Sequence, residues 1–314
     1  MKKPVKKTRI LCAAVLALTL LFGACGNGPA AESTSTAERQ STAAPAETTA
    51  PENTGAPAAE STSASGETAG QPAASEQTAE ENTTAAPGPV SMEIRLATLN
   101  IKHGAEGLDT VAAAIREVSP DIIGLQEVDV FCERSGYVDE VEELARLAGY
   151  PYHAFARAIP LGSGEYGTAL LSRFPIESFE VTPLESGNGE NRAIGHAVIN
   201  AEGIKLDVFV THLSFEDRNV RIGQMKTIAK ILKKCSRYVV LADLNSFVID
   251  DISYLEAAYY VNSPARRYQT FRYRESSPDN IVVSEGFTEL SSGVSDAECS
   301  DHKFLYAVFR LVGE

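Results

Sequence analysis

Seven polar side chains lie at the ends of apolar runs in this chain, and their types suit the cleavage of a phosphoester bond. They are Asn100, Glu127, His212, Asp243, Asn245, Asp301 and His302. Converging strand ends are where open α/β sheets bind their ligands, so we expect these side chains to meet at one site. Carboxylates and amides supply oxygen ligands for a hard cation, and an imidazole or a carboxylate can take a proton from water.

Glu127 closes an otherwise apolar segment, residues 121–126. A carboxylate in such a position is costly to bury without a cation or a hydrogen-bond donor. We therefore interpret Glu127 as a ligand for Mg²⁺ or Mn²⁺, with a helix cap or an ion pair to Arg134 as the alternative. Asn100 has two candidate roles, because it can ligate the metal through its carbonyl oxygen or orient Glu127 through its amide nitrogen.

Asp243 and Asn245 follow the apolar run of residues 238–242. Alternate residues of an extended segment share a side, so the two side chains point the same way. One can hold or deprotonate an attacking water while the other donates to a phosphate oxygen. The alternative is an Asx turn after a strand, which is common for a single Asp or Asn.

Three histidines are candidates for the same chemistry. His302 can act as a general base or stabilise charge on a phosphate, and Asp279 is a candidate to orient it. His212 can donate to the scissile phosphate or to a loop carbonyl. For His103 a substrate contact and a structural role are equally supported.

Arginines offer a third kind of group. Arg134 and Arg192 are candidate phosphate clamps, because a guanidinium can bond two oxygens at once, and a surface ion pair is the alternative for each. Residues 266–274 mix arginines with aromatic residues. This segment is the best local anion-binding patch of an acidic domain, whether it stacks on nucleic acid or is partly solvated.

Composition divides the chain into three parts. Residues 1–24 have a basic start, a short apolar core and small residues before Cys25, a pattern typical of an export signal. The segment before Cys25 resembles the bacterial lipobox, which implies cleavage there and a lipid on the cysteine. An ordinary secreted protein or a retained anchor is the alternative.

Residues 25–90 consist mostly of Ala, Ser, Thr, Glu, Pro and Gly. Such a segment cannot bury enough apolar surface to offset its ordering entropy, so we expect a disordered tether with an end-to-end distance of roughly 45 Å. We expect the protein to be exported and anchored through Cys25 to the outer face of the bacterial cell membrane.

Residues 91–314 are long enough for one α/β domain with a sizeable core. They carry 22 Lys and Arg against 33 Asp and Glu, a net charge of −11. This acidity argues against affinity that depends on coating nucleic-acid phosphates. The domain has three cysteines, Cys132, Cys235 and Cys299. A disulfide between Cys132 and Cys299 and two buried free thiols are both consistent with the sequence.

Hydrophobic periodicity predicts many strands interleaved with few helices. Helices are expected at residues 108–118, 138–147 and 218–235. Strands are expected at residues 92–99, 121–128, 167–172, 179–184, 193–200, 204–213, 238–242, 279–284 and 303–311. This order predicts two packed sheets with helices outside.

Six short motifs, taken in chain order, resemble the endonuclease/exonuclease/phosphatase superfamily. They are Leu99–Asn100, Leu125–Asp129, Tyr166–Arg173, Thr211–Leu213, Ala242–Asn245 and Ser300–His302. The resemblance spans nearly all of residues 92–312. It implies an α/β fold, a four-layer sandwich of two packed mixed β-sheets flanked by helices, and hydrolysis of a phosphoester with a divalent cation.

The resemblance also implies roles for individual residues. Glu127 would be the principal metal ligand, with Asn100 and Asp301 nearby. Asp243 and Asn245 would position water and phosphate, His212 would contact the phosphate, and Asp279 would orient His302.

Two hypotheses follow from these patterns. In the first, the chain is a tethered, Mg²⁺- or Mn²⁺-dependent phosphoesterase, acting as a monomer. A small phosphorylated molecule or a lipid head group is favoured as its substrate, and nucleic acid is the alternative. In the second, it is a binding lipoprotein that kept the fold without turnover. The second predicts loss of the polar strand ends, and the sequence retains them.

Overall fold

A computed structural model describes residues 91–312 of the chain. The expected signal peptide (residues 1–24), the expected tether with Cys25 (residues 25–90) and residues 313–314 lie outside the described residues. Within residues 91–312, no helix has the length and hydropathy needed to cross a bilayer.

The described residues form twelve strands and three α-helices. The strands are β1 (Ser91–Asn100), β2 (Ile122–Val130), β3 (Tyr152–Leu161), β4 (Gly164–Ser172), β5 (Ile176–Leu184), β6 (Arg192–Ala201), β7 (Ile204–His212), β8 (Tyr238–Asp243), β9 (Tyr259–Tyr260), β10 (Asp279–Val283), β11 (Phe287–Ser295) and β12 (Phe304–Val312). The helices are α1 (Leu108–Val118), α2 (Glu140–Ala148) and α3 (Arg218–Leu232).

The strands form two mixed sheets of six. The first has the order β11-β12-β1-β2-β4-β3 and the second has the order β5-β6-β7-β8-β10-β9. Each sheet contains one parallel pair, β1 with β2 and β7 with β8, and its other neighbours are antiparallel. Parallel strands end at the same edge, so each central pair brings two carboxyl ends together.

Three apolar layers hold the domain together. Between the sheets, side chains such as Leu96 and Ile122 of the first pack with Val208 and Leu241 of the second. A second core joins α1 and α2 to the outer face of the first sheet. A third joins α3 to the outer face of the second. The chain therefore has four layers, which confirms the fold predicted from the sequence.

The helices begin where their sequences offer caps. Asp139 accepts hydrogen bonds from the amides of Val141 and Glu142 at the start of α2. Asp217 does the same for the amides of Asn219 and Val220 at the start of α3. Such caps satisfy amides that have no partner inside the helix.

The three cysteines of the domain are free thiols, and Cys132 and Cys299 are buried. Of the two alternatives for this pair, the structure has the unbridged one. The Cys132 thiol lies against the carbonyl oxygens of Leu161 and Glu165, at 3.5 and 3.2 Å.

Candidate active site

Glu127 lies at an irregularity in β2. The pairing of β2 with β4 shifts register between Gln126 and Val128, and Glu127 has a φ of 56°. A bulge of this kind re-aims one side chain while the strand continues on either side. A non-glycine residue in this left-handed conformation carries about 1 kcal/mol or more of strain. The backbone thus turns the Glu127 carboxylate into a cavity at the end of the sheet.

Asn100 joins the carboxylates of the two sheets. Its Nδ2 donates to Glu127 Oε1 at 2.8 Å and to Asp243 Oδ2 at 3.1 Å. Its Oδ1 accepts the backbone N–H of Lys102 at 3.0 Å. Both ends of the amide are engaged, which favours the orienting role for Asn100 over direct ligation of a metal.

The carboxylates at the cavity suit a hard cation. Burial raises the pKa of Glu127, and the nearby charge of Asp243 raises it further, while the Asn100 amide opposes the shift. Asp301 also lines the cavity, where Lys102 Nζ lies 3.2 Å from its Oδ2. A divalent cation would relieve the cost of a buried carboxylate, so oxygen donors from Glu127 and Asp301 fit such an ion.

A tighter cluster lies deeper. Single ligand atoms of Asp243, Asp279 and His302 fall within 4.8 Å of one another. His302 Nδ1 is hydrogen-bonded to Asp279 Oδ2 at 2.9 Å, and Asp243 Oδ2 already accepts from Asn100. Oδ2 of Asp279 and Oδ2 of Asp243 thus each have a partner, while Asp279 Oδ1 is buried without one. Because the contact between His302 and Asp279 is a direct hydrogen bond, we interpret the cluster as an acid–base pair beside a carboxylate.

His302 is held as a cation. Burial by itself lowers the pKa of His302, but the charge and hydrogen bond of Asp279 and the charge of Asp243 outweigh it and raise the pKa to about 10. Asp279 is fully buried, and burial raises its own pKa to about 6. Between these values the pair is an imidazolium and a carboxylate. This favours charge stabilisation on a phosphate as the role of His302.

His212 is the opposite case. Burial, together with the positive charge of Arg192, lowers the pKa of His212 to about 3 although Asp243 opposes the shift. The ring is therefore neutral at physiological pH. Arg192 Nη1 lies 3.0 Å from Nδ1, and a guanidinium only donates, so Nδ1 accepts and the ring proton is on Nε2. Nε2 then faces Asp243 Oδ2 at 3.5 Å.

Asn245 lies beside the same ring. Its Nδ2 is 2.8 Å from His212 Nε2 and donates to the Leu213 carbonyl oxygen at 2.9 Å. One neutral imidazole accepts at one nitrogen only, and Arg192 occupies that acceptor, Nδ1. The approach of Asn245 Nδ2 to the protonated Nε2 therefore brings two donors together and is not a hydrogen bond, and the amide donates to the Leu213 carbonyl oxygen instead. The backbone N–H of Asn245 also donates to Asp243 Oδ1 at 2.8 Å, which ties the two polar residues into one turn.

Two arginines reach the cavity, Arg134 from a 3-10 turn (Glu133–Ser135) that follows β2 and Arg192 from the start of β6. Arg134 donates from Nε and Nη2 to the buried carboxylate of Asp129, and its guanidinium lies over the Tyr166 ring. Within residues 91–312 its Nη1 has no hydrogen-bond partner, so this nitrogen can bind a ligand oxygen. Arg192 has a side chain that is only 3% exposed, and it is paired with Glu190 at 3.0 Å.

The cavity has a polar floor and is also lined by apolar side chains. Its volume is about 410 Å³. The floor carries the carboxylates, imidazoles and guanidinium groups described above. The apolar and aromatic residues that line the cavity are Leu161, Tyr166, Phe215, Phe247, Phe271 and Pro278. Phe215 and Phe247 are 61% and 49% exposed, so they stand at the mouth of the cavity.

Residues 97–302 match the sequence profile of the endonuclease/exonuclease/phosphatase family. The chain belongs to this family. Members are hydrolases that act on phosphoester bonds and generally depend on divalent metals. All six motifs that resembled this family in sequence lie within the matched range.

The domain is also similar to individual proteins, one found by sequence and others by structure. Protein cwh43 of Schizosaccharomyces pombe is 30% identical over 146 residues. The match covers 45% of this chain and only 14% of that protein. An endonuclease/exonuclease/phosphatase from Beutenbergia cavernae superposes with a TM-score of 0.61 at 20% identity, covering 70% of this chain and 72% of that one.

A third relative is the Bacteroides thetaiotaomicron mannosyl-6-phosphatase Bt3783. It superposes with a TM-score of 0.54 at 15% identity and covers 68% of this chain and 98% of that one. At these identities the structural matches establish the family's fold.

Most of the residues singled out from the sequence meet at the cavity of this endonuclease/exonuclease/phosphatase domain. Those that line it directly are Glu127, Arg134, Arg192, His212, Asp243, Asn245, Asp301 and His302. Asn100 and Asp279 lie behind them and hold them in place. His103 is not among the lining residues; it lies in a short 3-10 turn after β1 with a φ of 46°.

Sequence reasoning missed several groups at the site. Asp129 anchors Arg134, and Glu190 pairs with Arg192. Asp129 carries a signal in retrospect, since it lies two residues after Glu127 in a strand and is a second carboxylate in an apolar run. Phe215 and Phe247 had no such signal, because isolated phenylalanines in loops follow no period.

Proposed function

We propose that the protein is a divalent-metal-dependent phosphoesterase, exported and tethered by a lipid on Cys25. It would hydrolyse a phosphomonoester or phosphodiester through in-line attack of an activated water. The observation that carries this proposal is Asn100, whose one amide nitrogen bonds Glu127 from the first sheet and Asp243 from the second. That bridge supports one shared reaction centre in place of two separate sheet edges.

Each residue has a defined task in this proposal. Glu127 and Asp301 would hold the cation, which supplies positive charge to a phosphate oxygen when bound. Asp243 would hold the attacking water and take its proton. Its carboxylate is ionised and so able to accept from water, because the charge of His302 and the amide of Asn100 outweigh the effect of burial and lower its pKa.

The phosphate would lie among donors. His302 would donate from Nε2 to a phosphate oxygen as charge develops, and Asp279 would keep the ring charged and oriented. Arg134 Nη1 can bind another oxygen, and His212 and Asn245 border the same space. Fixed donors and cations around a phosphoryl group supply most of the catalysis in such reactions.

The substrate we favour is a small phosphorylated molecule or a lipid head group. The cavity of about 410 Å³ fits a phosphate with one modest substituent. The net charge of −11 on residues 91–314 would repel a long nucleic acid from most of the surface.

The test is hydrolysis of bis-p-nitrophenyl phosphate by the full chain with Mg²⁺, Mn²⁺ or EDTA. We expect turnover that EDTA abolishes and that Glu127→Gln and His302→Ala each reduce by about 100-fold or more. His153→Ala is the matched control, because His153 is an exposed histidine of β3 that does not line the cavity, and its activity should equal that of the unmodified chain. Absence of metal-dependent turnover would favour a binding lipoprotein that retains the fold.

A further inference from the structure

A second cavity of about 210 Å³ adjoins the active site, and Phe247 lines both. The polar side chains of its wall include Ser246, Arg267, Glu275, Ser276 and Ser277. None of these residues has a task in the reaction described above.

The walls of this second cavity are continuous with the reaction centre. Ser246 directly follows Asn245, and Ser277 lies two residues before Asp279. The backbone N–H of Leu244 donates to the Pro278 carbonyl oxygen at 2.8 Å, which joins the two walls beside the catalytic strands. A group in the second cavity is therefore held at a fixed position relative to Asp243.

The loop that closes the second cavity is internally bonded. The amide of Thr270 donates to the Ser276 carbonyl oxygen at 3.0 Å. Gln269 Nε2 donates to the carbonyl oxygens of Phe271 and Arg272, at 3.0 and 3.4 Å. These bonds give the loop a defined shape, so the cavity is a preformed feature of the fold.

Three of the four arginines in residues 266–274 are already engaged. Arg266 forms a two-point ion pair with Glu289, and Arg272 donates to the Ser300 carbonyl oxygen. The Arg274 guanidinium lies 4.7 Å from the centre of the Phe247 ring. Arg267 is exposed at the second cavity and, within residues 91–312, makes no ion pair. It is the arginine of this segment that remains for a ligand.

The chemistry of the wall selects a class of ligand. The Arg267 guanidinium and the Ser277 hydroxyl can donate to a ligand, and the Glu275 carboxylate can accept. The Ser246 and Ser276 hydroxyls donate to the carbonyl oxygens of Val248 and Arg274, so they offer a ligand their acceptor oxygens. A second phosphate would be repelled by Glu275, and a hydrocarbon chain would leave the polar groups without partners. The hydroxyls of a sugar or cyclitol ring both donate and accept, and the C–H face of such a ring can pack on Phe247.

We propose that the second cavity binds a polyhydroxylated ring whose phosphoester lies in the active site. This inference rests on the proposed phosphoesterase function and names its substrate class. The ring can belong to a free sugar or cyclitol phosphate or to a lipid head group, since the same hydroxyls would be recognised in either.

The test compares substrates with and without such a ring, using the full chain with Mg²⁺. The probes are myo-inositol 1-phosphate and glycerophosphoinositol in solution, phosphatidylinositol in mixed micelles, and bis-p-nitrophenyl phosphate, which has no polyol. Arg267→Ala should raise KM for the inositol substrates by about tenfold or more while changing kcat/KM for bis-p-nitrophenyl phosphate by less than about twofold. Arg310→Ala, an exposed arginine of β12 that lines neither cavity, is the matched control.

The different substrates distinguish a free sugar or cyclitol phosphate from a lipid head group. A selective effect on the soluble inositol phosphates supports a free substrate, and one confined to phosphatidylinositol supports a lipid head group. An equal effect of Arg267→Ala on all substrates, or none, overturns the proposal while leaving the phosphoesterase function standing.

A binding measurement keeps the second cavity testable without turnover. Saturation-transfer NMR with myo-inositol 1-phosphate and EDTA reports contact of the ring with the full chain. Signal that Arg267→Ala removes and Arg310→Ala retains supports the assignment. No signal from the unmodified chain, or equal signal from Arg267→Ala, overturns it. Loss of all metal-dependent turnover would instead contradict the proposed function.

Discussion

Arg134 donates to both oxygens of the Asp129 carboxylate, from Nε to Oδ2 and from Nη2 to Oδ1, each at 2.8 Å. The Asp129 side chain is fully buried, whereas Arg134 is 43% exposed at the cavity. The buried Asp129 carboxylate thus fixes the plane of the exposed Arg134 guanidinium. A two-point contact of this kind restrains a guanidinium more than a single bond can.

We expect Asp129→Asn to reduce kcat/KM for bis-p-nitrophenyl phosphate by about tenfold. Asparagine keeps one acceptor oxygen but places a donor against the guanidinium, so Arg134 loses its orientation and a bond worth roughly 1–2 kcal/mol. The measurement is steady-state kinetics with Mg²⁺ at a temperature where both proteins are folded by circular dichroism.

A surface pair provides the control for Asp129→Asn. Arg146 makes the same two-point contact with Glu143 on the exposed face of α2. Exposed ion pairs contribute little, so Glu143→Gln should change kcat/KM by less than about twofold. Equal kinetics for Asp129→Asn and the unmodified chain would show that Arg134 does not depend on its anchor.

Arg192 determines the tautomer of His212. Burial is the main reason why the pKa of His212 is low, and the positive charge of Arg192, whose guanidinium donates to Nδ1, lowers it further. We expect Arg192→Gln to raise the pKa of His212 from about 3 and to let the ring proton move to Nδ1. Nitrogen-15 NMR of the histidine side chains measures both changes. His196, hydrogen-bonded to Asp207 in the same sheet, is the internal control and should keep its signals. A His212 signal unchanged by the substitution would refute the assignment.

The sequence predicted the centre of each sheet better than its edges. Strands such as β2 and β8 are buried on both faces, so their apolar runs are continuous and easily recognised. The two strands that were missed in the first sheet, β3 and β11, are its edges. β3 has one fully buried residue, Ala156, and contains Pro160, which edge strands tolerate. A strand with little burial has little periodicity to find.

The candidate site shows the same limit at the level of side chains. Carboxylates and imidazoles at the ends of apolar runs were found because their burial is costly and therefore informative. The bulge that aims Glu127 is not visible in the sequence, since it depends on the pairing of β2 with β4. The two roles of Asn100 were also undecided until its three hydrogen-bond partners were known.

Glu140 makes stability depend on pH in a way that one substitution can isolate. Burial raises the pKa of Glu140 from 4.5 to about 7, and the bond from the Asp129 amide only partly offsets this. A folded-state pKa above the unfolded value means that the stabilising contribution is complete below about pH 4.5. It is lost as the pH rises through about 7.

Glu140→Gln should therefore be more stable than the unmodified chain at pH 8, by at most about 3 kcal/mol, and the difference should shrink towards zero near pH 4.5. Urea denaturation at several pH values measures it. Glu142→Gln, an exposed neighbour on α2, should show no comparable trend. If Glu140→Gln were less stable than the unmodified chain at pH 8, the interpretation of Glu140 as a buried carboxylate that is ionised at this pH would be wrong.

Replacement of glycine by alanine should change the stability of the domain in opposite directions at two positions. Gly124 of β2 faces the second sheet, where an added Cβ would lie 2.6 Å from Leu241 Cβ and 3.1 Å from Val210 Cγ2. Gly223 lies inside α3, and an added Cβ there meets nothing within 4 Å.

Gly124→Ala should destabilise the domain by about 1–3 kcal/mol, because the sheets must separate locally to admit the methyl group. Gly223→Ala should stabilise it by about 0.5–1 kcal/mol, because alanine loses less backbone entropy in a helix. Paired urea denaturation curves test both signs. If Gly124→Ala were neutral, the close approach of the two sheets, which the Asn100 bridge to Asp243 requires, would be in doubt.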